Sequence, residues 1–345
     1  MQHTITGVDL AKDVIQVCVV KRSEVIFNKE MSIQEFVSWL GSSKAMMIVF
    51  EACSTSNYWK QKATEMGHDA RLVSAKLVSK IRENQKTDEN DALAVAQAGQ
   101  LVGVNFIKGK SFAQQQLQSI LRMRELTVEH KVAQGNQLKG LLLEFNIRIS
   151  PSKGGINGVI GDVLEDADNG FCLFFRKALQ VSWHAYQDTI SRIDEYDMQL
   201  NKAIRQHPEC VKLLALEGVS TINAVNLFVA LSCGEAGVFK TGRDAAACIG
   251  VTPIQHSSGG KTRIGSIGKH VKNTGMRACL ITGAMAVVRH VSNREPRTAK
   301  EQWLKQLIER RGKKCAAVAL ANKTVRTAFA MLTQGTEYRV EPLRA

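Results

Sequence analysis

Short apolar runs separated by polar turns fill the first part of the chain, and these runs predict β-strands. A capping-box sequence, in which Ser32 is followed by Glu35, predicts a helix between the third and fourth runs. Strands followed by strand–helix alternation are typical of a mixed sheet covered by helices, so we expect an α/β layer at the N-terminus. The predicted strands are Thr4–Asp9, Val14–Val20, Val25–Met31, 45–50 and Asp69–Ser74.

After Ser111 the apolar residues recur three, four and seven positions apart, which is the spacing of long helices. The clearest stretch fits the a and d positions of a heptad repeat, with Asp197 in one apolar slot. Glycines between Pro151 and Gly170 predict a break between two such helices. We therefore predict a long helical coiled-coil hairpin, which is either packed internally or also an oligomer interface. The seam residues are Trp183, Tyr186, Ile190, Ile193, Leu200 and Ile204.

The domain organisation follows from these changes of pattern. His207 and Pro208 are expected to end the second long helix, and the rest of the chain predicts a compact helical domain. A chain of 345 residues is long enough for two or three domains. We predict an α/β domain at 1–108, a helical coiled-coil region at 109–207 and a helical C-terminal domain at 208–345.

Composition adds a partner and a compartment to this picture. The net charge of +14 and the pI near 9.5 indicate a polyanionic partner such as nucleic acid. The eight cysteines include no Cys-x-x-Cys pair, which argues against zinc ribbons and against a secreted disulfide framework. Lys12 and Asp13 interrupt the first apolar segment, unlike a signal peptide, and no run approaches the ~18 apolar residues that cross a membrane. We expect a cytoplasmic protein.

Four carboxylates are the main candidates for chemistry. Asp9 and Glu51 each end an apolar run, and Asp88 and Asp91 lie three residues apart at a predicted helix start. Acids at the ends of neighbouring strands and on one helix face can converge, and their repulsion then favours bound cations. The hard ions Mg²⁺ or Mn²⁺ would suit these oxygen ligands and phosphodiester chemistry. The alternative is structural: turn residues at Asp9 and Glu51, and an N-cap at Asp88 with its N3 partner Asp91.

Two further segments are candidates for nucleic-acid contact. The glycine turn at Gly218, followed by Ser220 and an apolar helix, resembles a helix-hairpin-helix element that offers backbone N–H groups to a phosphate. An ordinary packing turn between helices is the alternative. The second segment, 245–277, contains no Asp or Glu, and its Ser257-Ser258-Gly259-Gly260 turn offers a hydroxyl beside phosphate-neutralising charge. A flexible basic loop is the alternative here. The basic residues of this segment include Lys261, Arg263, Lys269, Lys272 and Arg277.

These motifs, in this order, resemble the IS110-family transposases in their IS1111-like branch. The resemblance implies a RuvC-like, RNase H-type N-terminal domain whose acids Asp9, Glu51, Asp88 and Asp91 bind Mg²⁺. It also implies a nucleophilic serine at Ser258, with Ser257 as the adjacent alternative. The motifs are Gly7-Val8-Asp9, Phe50-Glu51-Ala52, Lys86-Thr87-Asp88-Glu89-Asn90-Asp91-Ala92, Leu216–Gly218, Ala245–Gly250-Val251-Thr252-Pro253, Ser257-Ser258-Gly259-Gly260-Lys261 and Gly268-Lys269.

The resemblance further implies a bacterial or archaeal recombinase that links serine covalently to DNA. Such proteins act on donor and target DNA, are directed by a guide RNA encoded in the element, and work as homodimers that pair into tetramers. Two other functions fit the same residues. One is a junction-resolving or structure-selective endonuclease that uses the four acids with water as nucleophile. The other is a nucleic-acid-binding protein without catalysis.

Overall fold

The N-terminal part is a five-stranded mixed sheet. A computed structural model describes residues 4–232, 239–268 and 274–343 of the chain. The strand order is β3-β2-β1-β4-β5, with β1 antiparallel to β2 and parallel to β4. All five strands occur where the short apolar runs predict them. Their bounds are β1 Ile5–Leu10, β2 Val14–Lys21, β3 Glu24–Ser32, β4 Met47–Glu51 and β5 Asp69–Val73.

Helices cover both faces of this sheet because alternate strand residues point to opposite sides. On β2, Ile15 and Val17 pack with the helices of one face, whereas Cys18 and Val20 contact alanines of the other. The capping box at Ser32 is present and starts the first helix as predicted. The sheet is therefore the middle layer of an α/β domain. The helices are α1 Ile33–Ser42, α2 Ser56–Glu65, α3 Ala75–Ile81 and α4 Asp88–Gln100.

Two long helices follow and pack side by side. They are α5, Phe112–Leu143, and α7, Leu173–Ile204, and each has 32 residues, or about 48 Å at ~1.5 Å per residue. Asp197, the charged residue in the apolar seam, pairs with Arg124 of α5 at 2.5 Å. The buried seam residues are Tyr186, Ile193, Leu200 and Ile204.

The segment between the long helices differs from the prediction of a simple break. It contains a short 3₁₀ turn, Pro151–Lys153, and a further helix, α6, Gly155–Glu165. Gly154 and Gly155 both have positive φ, so the glycines turn the chain into α6 and do not prevent it. The apolar face of α6 is buried against the long helices through Val159, Ile160 and Val163.

The C-terminal part is mostly helical, with one addition to the prediction. The segment for which a flexible basic loop was the alternative contains a two-stranded antiparallel hairpin. Gly312 has φ 78° and ψ 165° and divides the last helix into two segments. The elements are α8 Pro208–Lys212, α9 Thr221–Ser232, α10 Gly242–Ile249, β6 Pro253–Ser258, β7 Lys261–Ile267, α11 Thr274–Ser292 and α12 Ala299–Gln334.

The long helices also contribute to the C-terminal core. Leu117 and Leu121, near the start of α5, and Leu200 and Ile204, near the end of α7, lie in one cluster with residues of α9 to α12. The predicted boundary at 207/208 therefore passes through a shared core. Across the described residues, no helix is long and apolar enough to cross a membrane.

Candidate active site

Asp9 and Glu51 lie at the same edge of the sheet. Strands β1 and β4 are parallel neighbours in which Val8 is aligned with Phe50, so Asp9 and Glu51 follow directly after paired positions. The carboxyl ends of parallel strands meet at one edge, which is where ligands bind in open α/β sheets. Both side chains are partly buried there.

Helix α4 brings the other two acids to this edge. Its N-cap is Thr87, whose Oγ1 accepts a hydrogen bond from the backbone N–H of Asn90 at 3.3 Å. The structural alternative for Asp88 and Asp91, an N-cap and its N3 partner, is therefore wrong, because Thr87 performs the capping. Both acids belong to the first turn of the helix, where carboxylates are also stabilised by the helix dipole.

Gly7 allows α4 to approach β1 this closely. A Cβ atom at Gly7 would lie 2.2 Å from the carbonyl oxygen of Ala92 and 2.3 Å from the amide nitrogen of Ala96. Backbone therefore contacts backbone, with no side chain between the strand and the helix. Since Asp91 precedes Ala92 and Asp9 follows Gly7 by two positions, this contact sets the approach of the two carboxylates.

Burial and the negative charges of neighbouring acids raise the pKa values of Asp9 and Glu51. The pKa of Asp9 is raised from 3.8, first by burial and then by the charges of Asp91 and Asp88. The pKa of Glu51 is raised from 4.5, again first by burial and then by Asp9 and Asp91. We call the set Asp9, Glu51, Asp88 and Asp91 the acidic corner.

Positive side chains offset part of this charge. Arg82 Nη1 lies 2.5 Å from Asp91 Oδ1, and the Asp91 side chain is only 8% exposed. Lys86 and Arg82 also oppose the upward shift of the Glu51 pKa. Sequence reasoning missed Arg82, since it lies in a polar segment after α3 that has no periodic pattern to mark it.

The donor set of the acidic corner suits a hard cation, because carboxylate oxygens are the ligands that Mg²⁺ and Mn²⁺ prefer. Within the described residues, however, no group of three or more His, Cys, Asp or Glu side chains is spaced to hold a metal ion. Asp91 is instead paired with Arg82. The metal site therefore stays a prediction.

The predicted serine loop is the tip of the β6–β7 hairpin. Gly259 and Gly260 form its two-residue turn with φ of 56° and 77°. Positive φ at both central residues is what a type I′ hairpin turn requires, and glycine adopts it without strain. In the register of the hairpin, Ser258 is opposite Lys261 and Ser257 is opposite Thr262.

This register separates the two candidate serines onto opposite faces of the hairpin. Ser258 shares its face with Lys261, Arg263 and His256, because His256 is two residues away and is paired with Arg263. Ser257 lies on the other face, with its Oγ 3.4 Å from the hydroxyl of Thr262. Sequence reasoning missed His256, although its even spacing from Ser258 was the available signal.

Of the other residues that were predicted to contact nucleic acid, those that the structure describes do not lie on the hairpin, and two of them have packing roles. Arg277 Nε donates a hydrogen bond to the carbonyl of Gly250 at 2.9 Å, which anchors the chain just before the hairpin. Gly218 has φ 76°, and a Cβ there would lie 2.7 Å from the carbonyl oxygen of Gly283, so this turn packs tightly against α11. Ser220 is exposed just before α9. Lys269 and Lys272 lie outside the described residues.

Comparison with known proteins matches both halves of the chain. A family model described as "Transposase" covers residues 6–147, and one described as "Transposase IS116/IS110/IS902 family" covers residues 210–302. The chain is 32% identical to the transposase for insertion sequence element IS1111A of Coxiella burnetii, over 97% of this chain and 91% of that protein. It is 33% identical to a probable family 20 transposase of Pseudomonas aeruginosa, over 96% and 98% of the respective lengths.

The acidic corner lies in the first matched segment, and the β6–β7 hairpin that carries Ser258, here called the serine hairpin, lies in the second. The alignments with both relatives extend over nearly the whole of each protein, so the similarity is not limited to one domain. The chain belongs to the IS116/IS110/IS902 family of transposases. The family resemblance inferred from its motifs is confirmed.

Proposed function

We propose that this transposase cleaves and rejoins DNA strands by attack of Ser258 on a phosphodiester, assisted by Mg²⁺ or Mn²⁺ at the acidic corner. Asp9, Glu51, Asp88 and Asp91 would hold the cation. The mixed sheet with acids at its strand ends supports a RuvC-like, RNase H-type assignment for the N-terminal domain.

The mutual repulsion of the carboxylates in the acidic corner, which the ion pair of Asp91 with Arg82 offsets only in part, is the observation that carries this proposal. Thr87 already caps α4, and burial next to like charges raises the pKa of both Asp9 and Glu51. Such an arrangement costs stability in the absence of a counter-charge. A bound divalent cation would offset that cost and would stabilise the negative charge that develops on the phosphate and on the leaving oxygen.

Ser258 is favoured over Ser257 by its surroundings. Lys261 and Arg263 share its face of the hairpin and are exposed, so they can neutralise a phosphate next to its hydroxyl. In the reaction, Ser258 Oγ forms a bond to phosphorus while the bond from phosphorus to the leaving sugar oxygen breaks. The serine proton passes to solvent and the leaving oxygen takes one up. The covalent link preserves the ester, so a second strand's hydroxyl can later displace the serine and rejoin the DNA.

The partners in this proposal are donor and target DNA together with a guide RNA encoded by the element, and the net charge of +14 suits them. The acting form would be a homodimer that assembles into a tetramer in the cytoplasm of a bacterium or archaeon. In that assembly the acids of one subunit would meet the serine of another, which would make cleavage depend on pairing of the DNA partners.

The test is an adduct assay. The protein is incubated with Mg²⁺, DNA of the element's end and RNA transcribed from the flanking element, and the products are separated on a denaturing gel. We expect a protease-sensitive protein–DNA adduct that is lost in both Ser258→Ala and Asp9→Ala. Ser257→Ala is the matched control, since it removes the same hydroxyl from the other face, and it should retain the adduct.

Two outcomes would contradict this mechanism. Cleavage that persists in Ser258→Ala but not in Asp9→Ala would indicate an endonuclease that uses water as nucleophile. Loss of the adduct in Ser257→Ala alone would assign the nucleophile to the neighbouring residue.

A further inference from the structure

A cleft with a cationic rim lies at the base of the serine hairpin. It is formed between α10 and the second segment of α12, and it has a volume of about 1190 Å³. This exceeds the ~300–1,000 Å³ that is usual for small-molecule pockets, so the cleft is large enough for part of a polymer. Pro253 and Ile267, which are paired at the open end of the hairpin, contribute to its wall. None of the residues assigned to the active site lines it.

The charge of the cleft is one-sided. Five cationic side chains line it, and among the described residues no carboxylate does. In the described part of the chain these cations also make no ion pair with a carboxylate, in contrast to Lys300 and Lys305 of the same helix, which pair with Glu217 and Glu295. Uncompensated like charges around one cleft favour an anionic ligand with repeated charges. The cations are Lys240, Arg243, Lys314, Lys323 and Arg326.

Much of the remaining lining of the cleft is apolar, and we call this part, which includes the aromatic ring of Trp303, the floor. Trp303 lines it from the first segment of α12, because the turn at Gly312 brings the two segments of that helix together. The ammonium group of Lys323 lies 4.7 Å from the centre of the Trp303 ring. A cation is therefore held beside an aromatic surface, an arrangement that offers stacking and charge to the same nucleotide.

We propose that this cleft binds a single-stranded nucleic-acid segment, with phosphates at the cationic rim and an unstacked base against the Trp303 floor. A duplex would present its phosphates but would keep its bases stacked away from an apolar floor. The proposal rests on the proposed function only in taking nucleic acid as the partner. Binding to the cleft does not require the acids or Ser258, whereas the position of the bound segment relative to the reacting phosphate rests on Ser258 as the nucleophile.

The position of the cleft also says which part of the strand it holds. Strand β6 has six residues and five steps between them, so its tip at Ser258 is about 17 Å from its base at ~3.3 Å per residue. The cleft therefore holds a segment that flanks the reacting phosphate and not the phosphate itself.

The experiment measures binding to the full-length protein by fluorescence anisotropy across a salt series. The ligands are a labelled single-stranded DNA, the RNA of the same sequence and the corresponding DNA duplex. The charge variant is the double substitution Lys314→Gln with Arg326→Gln. Its control is Lys139→Gln with Arg148→Gln, which removes the same two charges from exposed positions outside the cleft. Trp303→Leu and Trp303→Phe test stacking, and thermal unfolding of each variant tests folding.

For single-stranded ligands, the logarithm of the binding constant falls linearly with the logarithm of the salt concentration. We expect the charge variant to lower the magnitude of this slope by about 1.4, at ~0.7 for each lost phosphate contact. We expect Trp303→Leu to weaken single-strand binding roughly 5- to 100-fold, while Trp303→Phe keeps most of it. A loss confined to DNA or to RNA would identify which strand occupies the cleft.

Equal losses in the charge variant and its control would overturn the proposal, as would losses confined to the duplex. If Trp303→Leu and Trp303→Phe weaken single-strand binding equally and both variants fold normally, no base stacks on Trp303, and this part of the proposal is wrong. Adduct formation is scored separately on the same proteins. Failure of the serine mechanism with intact cleft binding would therefore be distinguishable from failure of the cleft.

Discussion

Gly7 determines at the scale of one residue how the acidic corner is assembled. The position has no room for even a methyl group, because the backbone of α4 already lies against it. A carboxylate on a strand can lie close to one on a helix only if the strand and the helix themselves lie close together. The glycine is thus part of the geometry of the site without offering any chemical group to it.

The substitution Gly7→Ala should therefore both destabilise the fold and separate the acids. Overpacking of this kind costs about 1–3 kcal/mol, and backbone atoms cannot move aside as a flexible side chain would. Gly140→Ala is the control: it lies in α5 with open space around it and should stabilise by about 0.5–1 kcal/mol. Denaturant unfolding measures both. An unchanged midpoint for Gly7→Ala would show that α4 does not pack as described.

Charge repulsion within the corner leads to a prediction about pH. The folded protein holds a proton on Asp9 to higher pH than the unfolded chain does, because burial and Asp91 raise the Asp9 pKa above 3.8. Stability is then lost as pH rises from about 4 through the raised pKa. In chelator, Asp9→Asn should reduce this loss and raise the thermal midpoint near neutral pH. Asp13→Asn, at an exposed position, should leave the pH profile unchanged. A steeper loss in Asp9→Asn would contradict the repulsion.

At the scale of elements, the turn inside α12 makes its two segments neighbours. Gly312 has φ 78° and ψ 165°, a region essentially restricted to glycine, and no other atom lies within 4 Å of a Cβ built there. Gly312→Ala should cost about 1–3 kcal/mol from backbone strain alone. Gly161→Ala also meets open space but has ordinary helical backbone, so it should be neutral or slightly stabilising. Equal unfolding midpoints for the two variants would show that the turn tolerates a side chain.

The elements also show what sequence patterns could and could not predict. The strands of the sheet were predictable because each is a short apolar run bounded by polar turns, as the continuously buried β2 shows. The β6–β7 hairpin was not, because nearly all of its residues are exposed and carry no apolar alternation. Helix α6 was hidden by its glycines, although Val159, Ile160 and Val163 have helical spacing.

The candidate site was predictable to a similar extent. The four acids follow apolar runs or begin a helix, so the prediction that they lie near one another could be made from position alone. The ion pair of Arg82 with Asp91 could not, since it depends on where the segment after α3 lies in three dimensions. The sequence likewise does not show which basic residues line the cleft. The basic residues of the last helix divide between ion pairs, such as Lys300 with Glu217, and the cleft, which Lys314 lines.

On the scale of the whole molecule, the boundary between the long helices and the C-terminal part is not a boundary of the core. Leu117 and Leu121 of α5 and Leu200 and Ile204 of α7 are buried among residues of α9 to α12. The N-terminal sheet, in contrast, has its own clusters on both faces. Its hydrogen bonds to the following chain include that of the Lys110 backbone N–H to Asn57 Oδ1 at 2.7 Å and that of Gln61 Nε2 to Gln115 Oε1 in α5 at 3.1 Å.

Fragments of the chain should therefore differ in their ability to fold. Residues 1–110 and residues 111–345 should each unfold cooperatively, because each contains complete core clusters. Residues 208–345 should not, because removal of the long helices deletes the leucines and isoleucine that complete the C-terminal core and exposes the apolar side chains of α9 to α12 that they cover, at about 1.5–3 kcal/mol for each side chain that loses its burial. Circular dichroism during thermal unfolding and limited proteolysis measure this directly. If 208–345 unfolds cooperatively at the same temperature as 111–345, the shared core is not needed, and the long helices are an appendage of the C-terminal domain.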